Sequence, residues 1–387
     1  MRVLIIGVGG VGAMAAWRLA QNGHEVTALE RFQVDHDLGS SYGDSRIVRR
    51  VYPDPFYTAL MADSYALWDE LEGLAVRRGL AARLVNRCGG IFFGPKTHPH
   101  LLAAQSALDE SRVPYDVWTP SDRAHHFPAL RLVGDEIALH EPSMGFVYAS
   151  RCVRAAAGIA RSLGAHIHEE IAVVGIEADG AGVIVTTEGG EKLRADRLLI
   201  AAGAWTQPLL ATLGVRLPLT VTRQIYVHLA PALHSENFES DRLPVWIDAA
   251  ANAYGFPHTD GEAGGVKLAL HNHGDASTPE SVDRCVNETD VAAILRYAGR
   301  RFEGLSERVV YARVCLYTNT PDSDFIIDSV PGFPAVTFVS ACSGHGFKFT
   351  PLLGKIAADL VTNQAVPYDL SRFRLDRFDA EQLACTA

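Results

Sequence analysis

In the stretch "ARVCLYTNTPDSDF" (312–325) a cysteine sits in a run that otherwise reads as a strand ending at a Pro-Asp turn. Strand side chains alternate with a period of two, so Val314, Leu316 and Thr318 share one side while Cys315 falls with Arg313 and Tyr317. A thiol on a polar side is a candidate for chemistry rather than ordinary core filling. Three other polar sets stand out. In "GDSRIVRR" (43–50), Arg46 and Arg49 are three apart and would share a face if the segment were helical; the alternative is a solvated basic face. In "VKLALHNHG" (266–274), Val266, Leu268 and Leu270 point one way and Lys267, Ala269, His271 and His273 the other. That puts a lysine and two histidines on one side of a strand roughly 20 Å long at ~3.3 Å per residue, either an exposed sheet face or an active-site wall. In "SGHGFKFTP" (343–351), Pro351 suits the first turn of a helix and Thr350 its cap, which sets Gly344, Gly346 and Lys348 beside a positive helix end. The bland alternative is a helix that begins with a flexible loop.

The elements that must position these groups begin with "RVLII" (2–6), a buried strand, then a helix over 11–22 that stops at Asn22-Gly23, then the strand "EVTAL" (25–29) closing on Glu30. Between strand and helix lies Gly7-x-Gly9-x-x-Gly12. Gly7 suits a tight turn, Gly9 the close approach of a pyrophosphate, and Gly12 the packing of helix on strand, while the helix N-terminus offers N–H groups to phosphate oxygens. Glu30 is spaced for a ribose hydroxyl. Strand, helix, strand and acid in this order read as a dinucleotide site, and the motif alone leaves NAD and FAD both open.

The order of elements beyond Glu30 favours FAD. An NAD dehydrogenase would continue as alternating strand and helix for its first half. This chain instead passes from a helix-like stretch at 55–78 through "GGIFFGP" (89–95), a helix around 98–112 and turn-rich sequence to about 145. It then returns with a helix at 150–163, strands near 166–187 and "ADRLLIAAGAW" (195–205). A second excursion at 217–316 is strand-rich, and "AVTFVSACSGHGFKF" (335–349) precedes a final helix at 350–362. The expected fold class is α/β, α+β overall. A Rossmann-like FAD-binding domain is assembled from 1–84, 146–214 and 321–387, and a mainly antiparallel β-sheet substrate domain is inserted as 85–145 and 215–320. In that plan Lys348 and the adjacent helix end suit a reduced flavin, which carries negative charge at N1 and the C2 carbonyl.

Bulk properties narrow the function classes. The chain of 387 residues is 48% hydrophobic, with a formal net charge of −10 and no long basic run, which argues against nucleic acid and anionic membranes as partners. Apolar runs such as "LLIAAGAW" (198–205) fall short of the ~18–20 residues of a membrane span, and the N-terminal segment lacks the basic region and cleavage site of a signal peptide. Six scattered cysteines (88, 152, 285, 315, 342, 385) without a CxxC pair suggest reduced thiols and a cytoplasmic protein. Cys88 and Cys342 read as small buried apolar residues. The His-x-His pairs at 98/100, 166/168 and 271/273 lack a third ligand at a recognisable spacing, so no metal site is expected. Ser343 and His345 lack the Gly-x-Ser-x-Gly elbow of a serine hydrolase.

"GSSYGDSRIVR" (39–49), "YGFP" (254–257), "VKLALH" (266–271), "CLYTNTPDSDFIID" (315–328) and "SGHGFKF" (343–349), in this order after the glycine fingerprint, resemble the monomeric sarcosine oxidase and N-methyltryptophan oxidase family, flavin amine oxidases of the D-amino acid oxidase fold. The resemblance spans essentially the whole chain. It implies FAD tethered through its 8α carbon to Cys315, Lys267 on the opposite flavin face promoting reaction with oxygen, and a substrate carboxylate held by Arg49 and Lys348. It also implies Tyr254 and His271 lining the cavity and Arg46 close to the flavin ring. Cofactor contacts are implied for Gly7, Gly9, Gly10, Val11 and Gly12, for Glu30 and Arg31, and for Ser40, Ser45 and Arg46. Val173, Gly203 and Trp205 are implied as well, together with Gly344, His345, Gly346, Phe347 and Lys348. One position departs from the family pattern: Tyr42 stands where a histidine is common.

The activity implied is oxidation of the C–N bond of a secondary amine in an amino or imino acid, with O2 reduced to hydrogen peroxide, by a monomer. The alternatives are an FAD-dependent amine dehydrogenase, a biosynthetic imino-acid oxidase of the same fold, and a nucleotide-binding protein without redox turnover.

Overall fold

The computed structural model describes residues 1–259, 261 and 263–379; Cys385 and the end of the 321–387 segment lie outside the described residues. Val3 to Ile6 of the Arg2–Ile6 strand are all buried, as a parallel strand covered on both faces requires. This strand pairs in parallel with Glu25–Leu29 and Arg197–Ile200. His166–His168 extends the sheet on one side and Phe333–Ser340 on the other, and Ile326–Val330 closes it as an antiparallel hairpin edge. Helices Gly10–Gln21, Pro55–Arg77, Ala149–Ser162 and Thr350–Val361 bury one core with one face of this sheet, around Trp17, Trp68, Val153 and Leu352. The other face, with Leu4, Ile6, Leu198 and Ile200, packs on a three-stranded antiparallel sheet through Val183 and Val185.

A nine-stranded mixed sheet forms the second layer system. Thr220–Pro231 pairs antiparallel with both Val266–Leu270 and Leu305–Asn319, and Val266–Leu270 pairs with Ala253–Phe256. Register decides what faces what. His228 and Phe256 both lie opposite Lys267, and Tyr226 lies opposite Ala269 and Arg313. By the period of two, Tyr226, Tyr254, Phe256, Lys267, Cys315 and Tyr317 therefore share one sheet face. The reverse face carries Val227, Trp246, Val266 and Leu268, buried against the Glu288–Arg301 helix through Ile294 and Ala298. That helix starts at a reciprocal capping box between Asn287 and Asp290.

Four local expectations are corrected. Residues 46–49 are not helical: Arg46–Val48 is a strand paired with Gly145–Val147, because Ile47 and Val48 are β-branched and find a partner edge. The strand from Val266 ends at Leu270, so His271 lies just beyond it and His273 is exposed. The turn-rich region before 145 contains Glu136–Glu141, paired with Gly90–Pro95. Thr350 is the first residue of the last helix rather than its cap, which falls on Phe349, and its hydroxyl makes no capping bond.

Candidate active site

A single cavity of about 750 Å³ runs from the glycine loop of the parallel sheet to the polar face of the nine-stranded sheet. At its first end Gly7, Gly9, Gly10 and Val11 line the wall, whereas Gly12 does not. Gly12 packs against the loop so closely that a Cβ would lie 1.9 Å from the Gly7 oxygen, the packing role its spacing predicted. The Gly10–Gln21 helix begins here with no capping bond from the Gly9 position and no acid in its first turn, leaving a positive helix end beside the cavity. Ser41 Oγ accepts from the Gly10 N–H at 2.9 Å. Glu30 is buried and accepts from the N–H groups of Val8 at 2.8 Å and Phe32 at 3.0 Å, so it braces the loop from beneath as well as lining the cavity. Arg31, Val173, Gly203 and Trp205 complete this end, with the Arg31 guanidinium 5.8 Å from the Trp205 ring. Two buried hydroxyls along the wall, Thr318 Oγ1 and Thr350 Oγ1, have no hydrogen-bond partner among the described residues.

In the middle of the cavity stand Cys315, Lys267, Arg46, Ser40 and Ser45. Cys315 and Tyr317 line it, while Arg313, on the same side of the strand, has run out to the surface and pairs with Asp37 at 3.0 Å. Burial pushes the Cys315 thiol up, and Arg46 and Lys267 pull it back down. Ser40 Oγ donates to the Leu316 carbonyl at 2.6 Å, tying the 39–45 loop to the cysteine strand. The buried Lys267 donates to Ser45 O at 3.1 Å and Ser45 Oγ at 3.4 Å, and its Nζ lies 4.4 Å from the Tyr226 ring and 5.0 Å from the Phe256 ring. Burial first and Arg46 second push its ammonium well below the usual lysine range. Arg46 is held by main-chain oxygens, donating to Ser45 at 2.8 Å, Ser40 at 3.1 Å and Tyr42 at 2.6 Å. The Tyr42 side chain turns away, its hydroxyl 3.4 Å from that of Tyr311.

The far end gathers Arg49, Lys348, Tyr254 and His271. Arg49 follows the short strand at a bend fixed by buried Glu141, whose Oε2 accepts from the N–H groups of Arg50 at 2.8 Å and Val51 at 2.9 Å. Its guanidinium donates to the Val51 carbonyl at 2.6 Å and lies 4.1 Å from the Tyr52 ring centre. The Lys348 Nζ donates to the Tyr52 hydroxyl at 2.9 Å and the His345 carbonyl at 2.6 Å. Burial, with Arg49 adding to it, pushes this ammonium down too. The hydroxyls of Tyr254 and Tyr317 are 3.4 Å apart, and Tyr317 reaches His271 Nδ1 at 3.3 Å. Burial and the nearby cations push the His271 imidazole down to about 4, so it is neutral at ordinary pH. Gly344, His345, Gly346 and Phe347 line the same region. Ser343 and His345 do not pair: Ser343 Oγ lies 3.2 Å from Thr320 Oγ1, and His345 bonds to Tyr52 and Ser323.

Of the predicted site residues, then, all but Gly12 border one cavity, and His273 lies outside it. Sequence reasoning did not single out Tyr52, Glu141, Tyr226, Phe256 or Tyr317 as site residues. Tyr317 carried a signal, two residues from Cys315 on the same side of its strand. Tyr52 and Glu141 carried none, since their roles are contacts made across the fold.

Three comparisons place this geometry among known proteins. A model of the FAD dependent oxidoreductase family matches residues 2–360. The chain is 34% identical over 376 residues to the monomeric sarcosine oxidase of Streptomyces avermitilis, covering 96% of both chains. It is 30% identical to the N-methyl-L-tryptophan oxidase of Yersinia pestis, covering 97% of this chain and 99% of the other. The solved structure of NikD, an amino acid oxidase of nikkomycin biosynthesis, superposes with a TM-score of 0.84 at 24% identity over 96% of each chain and shares the fold. The parallel sheet built from separated segments, the glycine loop, the nine-stranded mixed sheet and these full-length similarities together establish that the chain belongs to the FAD dependent oxidoreductase family, alongside the monomeric sarcosine oxidases and N-methyltryptophan oxidases.

Proposed function

We propose that the protein is an amine oxidase that removes a hydride equivalent from the carbon next to a secondary amine in an amino or imino acid, with O2 as the final acceptor. The observation that carries this reading is a charge imbalance. Arg49 and Lys348 stand together at one end of the cavity, and the hydrogen bonds they make among the described residues go to carbonyl oxygens and a hydroxyl, not to a carboxylate. Two cations so placed gain from an anion of matching size, and a substrate carboxylate supplies it.

The cavity suits FAD at the other end. The glycine loop offers a helix N-terminus without a side-chain cap at Gly9, only its Gly10 N–H being taken among the described residues, by Ser41, and a Cβ at position 10 would meet the Thr350 methyl at 2.8 Å. The orphaned hydroxyls of Thr318 and Thr350 supply unmet hydrogen-bonding capacity along the wall. In our reading Glu30 and Arg31 hold the ribose end, the helix N-terminus the pyrophosphate, and Val173, Gly203 and Trp205 flank it. Ser40, Ser45, Arg46 and the 344–348 loop hold the ring system, with Cys315 as its covalent attachment through the 8α carbon. We assign 1–84, 146–214 and 321–387 to this cofactor domain and 85–145 and 215–320 to the substrate domain.

Bound FAD supplies the hydride acceptor. The chain supplies everything else. Arg49 and Lys348 fix the carboxylate, which orients the amine and its neighbouring C–H and converts an encounter into a positioned reaction. Beside them stand neutral His271 and the protonated phenols of Tyr254 and Tyr317, both pushed up by burial. Surrounded by cations and neutral dipoles, the substrate amine is held in its unprotonated form, the form with a lone pair to assist C–H cleavage. Lys267, buried beside Ser45 without a hydrogen-bonded acid, stabilises negative charge arriving next to it as oxygen is reduced.

A peroxide-coupled screen of sarcosine, N-methylated aromatic amino acids, L-proline, L-pipecolate and glycated amino acids tests the activity, with turnover and peroxide release expected for at least one secondary amine. Turnover with an artificial acceptor but no peroxide would identify a dehydrogenase instead. Acid precipitation tests the attachment: a yellow pellet is expected, turning colourless with a yellow supernatant for Cys315→Ser.

A further inference from the structure

His345 is a half-buried imidazole whose ring nitrogens have no part in the proposed reaction. Its Nε2 lies 3.0 Å from the carbonyl oxygen of Ser323. A carbonyl only accepts, so Nε2 carries the proton and Nδ1 is left with its lone pair. Nδ1 lies 3.2 Å from the Tyr52 hydroxyl, which must therefore be the donor. With its proton committed to His345, the Tyr52 oxygen turns its lone pairs toward Lys348, whose Nζ lies at 2.9 Å. The chain of donors thus has one direction, from Lys348 through Tyr52 and His345 to Ser323. The main-chain oxygen of His345 takes a second N–H of Lys348 at 2.6 Å. One of the three N–H donors of the ammonium is left for a ligand.

From this geometry we propose that Tyr52 and His345 are positioning residues for the substrate carboxylate: His345, as its Nε2–H tautomer, orients the Tyr52 hydroxyl so that it accepts from Lys348, which keeps that lysine protonated and aimed into the cavity. The inference rests on the reading of Arg49 and Lys348 as a carboxylate clamp and deepens it.

The surroundings allow no substitute for this pair. Lys348 faces neutral His271 and the Arg49 cation, and burial first and Arg49 second disfavour its charge. The His345 ring faces Tyr57 at 5.1 Å, Phe325 at 4.9 Å and Phe349 at 6.4 Å. Tyr57 in turn donates to Asp324, whose charge is taken up by Arg372. Burial also favours the required proton states, pushing the Tyr52 phenol up to about 12 and the His345 imidazole down to about 3.

The test is binding of methoxyacetate, a carboxylate with an ether oxygen in place of the amine, to the holoenzyme, followed by perturbation of the flavin spectrum across neutral to alkaline pH. Wild-type affinity is expected to fall at high pH as Lys348 loses its proton. Tyr52→Phe removes an acceptor of a charged donor, which should weaken binding about tenfold near pH 8 and move the alkaline loss down by about one pH unit. His345→Leu frees the Tyr52 hydroxyl to rotate and is expected to behave like Tyr52→Phe. His345→Gln can donate and accept at similar positions and is expected to restore the wild-type pH profile. The double variant Tyr52→Phe with His345→Leu should be no worse than Tyr52→Phe alone, as links of one chain. An unmoved pH profile in Tyr52→Phe and His345→Leu overturns the proposal, even if affinity drops uniformly with a lower Tm. Failure of wild type to bind methoxyacetate, or wild-type binding by Lys348→Met, overturns the carboxylate clamp itself.

Discussion

Lys267 shows how much of a single residue can be foreseen. Alternation along "VKLALH" set it opposite Val266 and Leu268, and the register with Phe256 and His228 turns that side toward the cavity. Its neighbours are harder to foresee, because Ser45, Tyr226 and Phe256 come from other parts of the chain. Replacing Lys267 with Met keeps the stem and removes the charge. Under the proposed function, reoxidation by oxygen is expected to slow by about 10²- to 10³-fold, while anaerobic bleaching of the flavin by substrate stays within a few-fold of wild type; stopped-flow absorbance separates the two half-reactions. An equally fast reoxidation would assign oxygen reactivity elsewhere. Tyr52 marks the limit of the sequence. Its contact with Lys348 spans 296 positions, and no local spacing rule reaches that far.

At the level of elements, the strands and helices that carry the glycine loop and the cysteine were legible from their apolar runs and turn residues. Errors fell where partners decide. The Arg46–Val48 segment became a strand because Gly145–Val147 lies beside it, and three-residue spacing cannot reveal a pairing edge about 100 residues away. The loop that precedes the last helix is set by close approach. Gly344 has φ +71°, and a Cβ there would lie 2.5 Å from both His271 Cε1 and Tyr317 Cε2. Gly344→Ala is therefore expected to destabilise the fold by about 1–3 kcal/mol through backbone strain and overpacking, and to push His271 and Tyr317 aside. Differential scanning calorimetry checks the first effect. A raised KM in the same variant checks the second, and wild-type values for both would show that the loop yields without cost.

For the molecule as a whole, burial of neutral imidazoles gives stability a pH dependence. His228, His271 and His345 are pushed down to about 3, about 4 and about 3. Each binds a proton in the unfolded chain below about pH 6.5 but not in the native protein until far lower. Between those limits the unfolded state holds more protons, so stability is full above about pH 6.5 and falls as the solution is acidified, by up to ~1.4 kcal/mol per pH unit for each histidine. Tm is expected to drop between pH 7.5 and pH 5.5. His228→Asn, a change beside Lys267 but outside the cavity lining, should flatten that slope, and an unchanged slope would remove His228 from the account. The proposed two-domain plan rests on segments that alternate in character along the chain, whereas the way the two large sheets meet at one cavity was not legible. The parallel sheet seats Phe333–Ser340 beside Arg197–Ile200, which in turn lies beside Arg2–Ile6. During synthesis the Arg197–Ile200 strand must wait for a neighbour made about 130 residues later, and Lys348 arrives later still. Folding during synthesis cannot finish this site piece by piece, so cofactor capture waits until residues 333–348 have emerged, and a product stalled before them carries a half-built, sticky sheet edge that chaperones must guard.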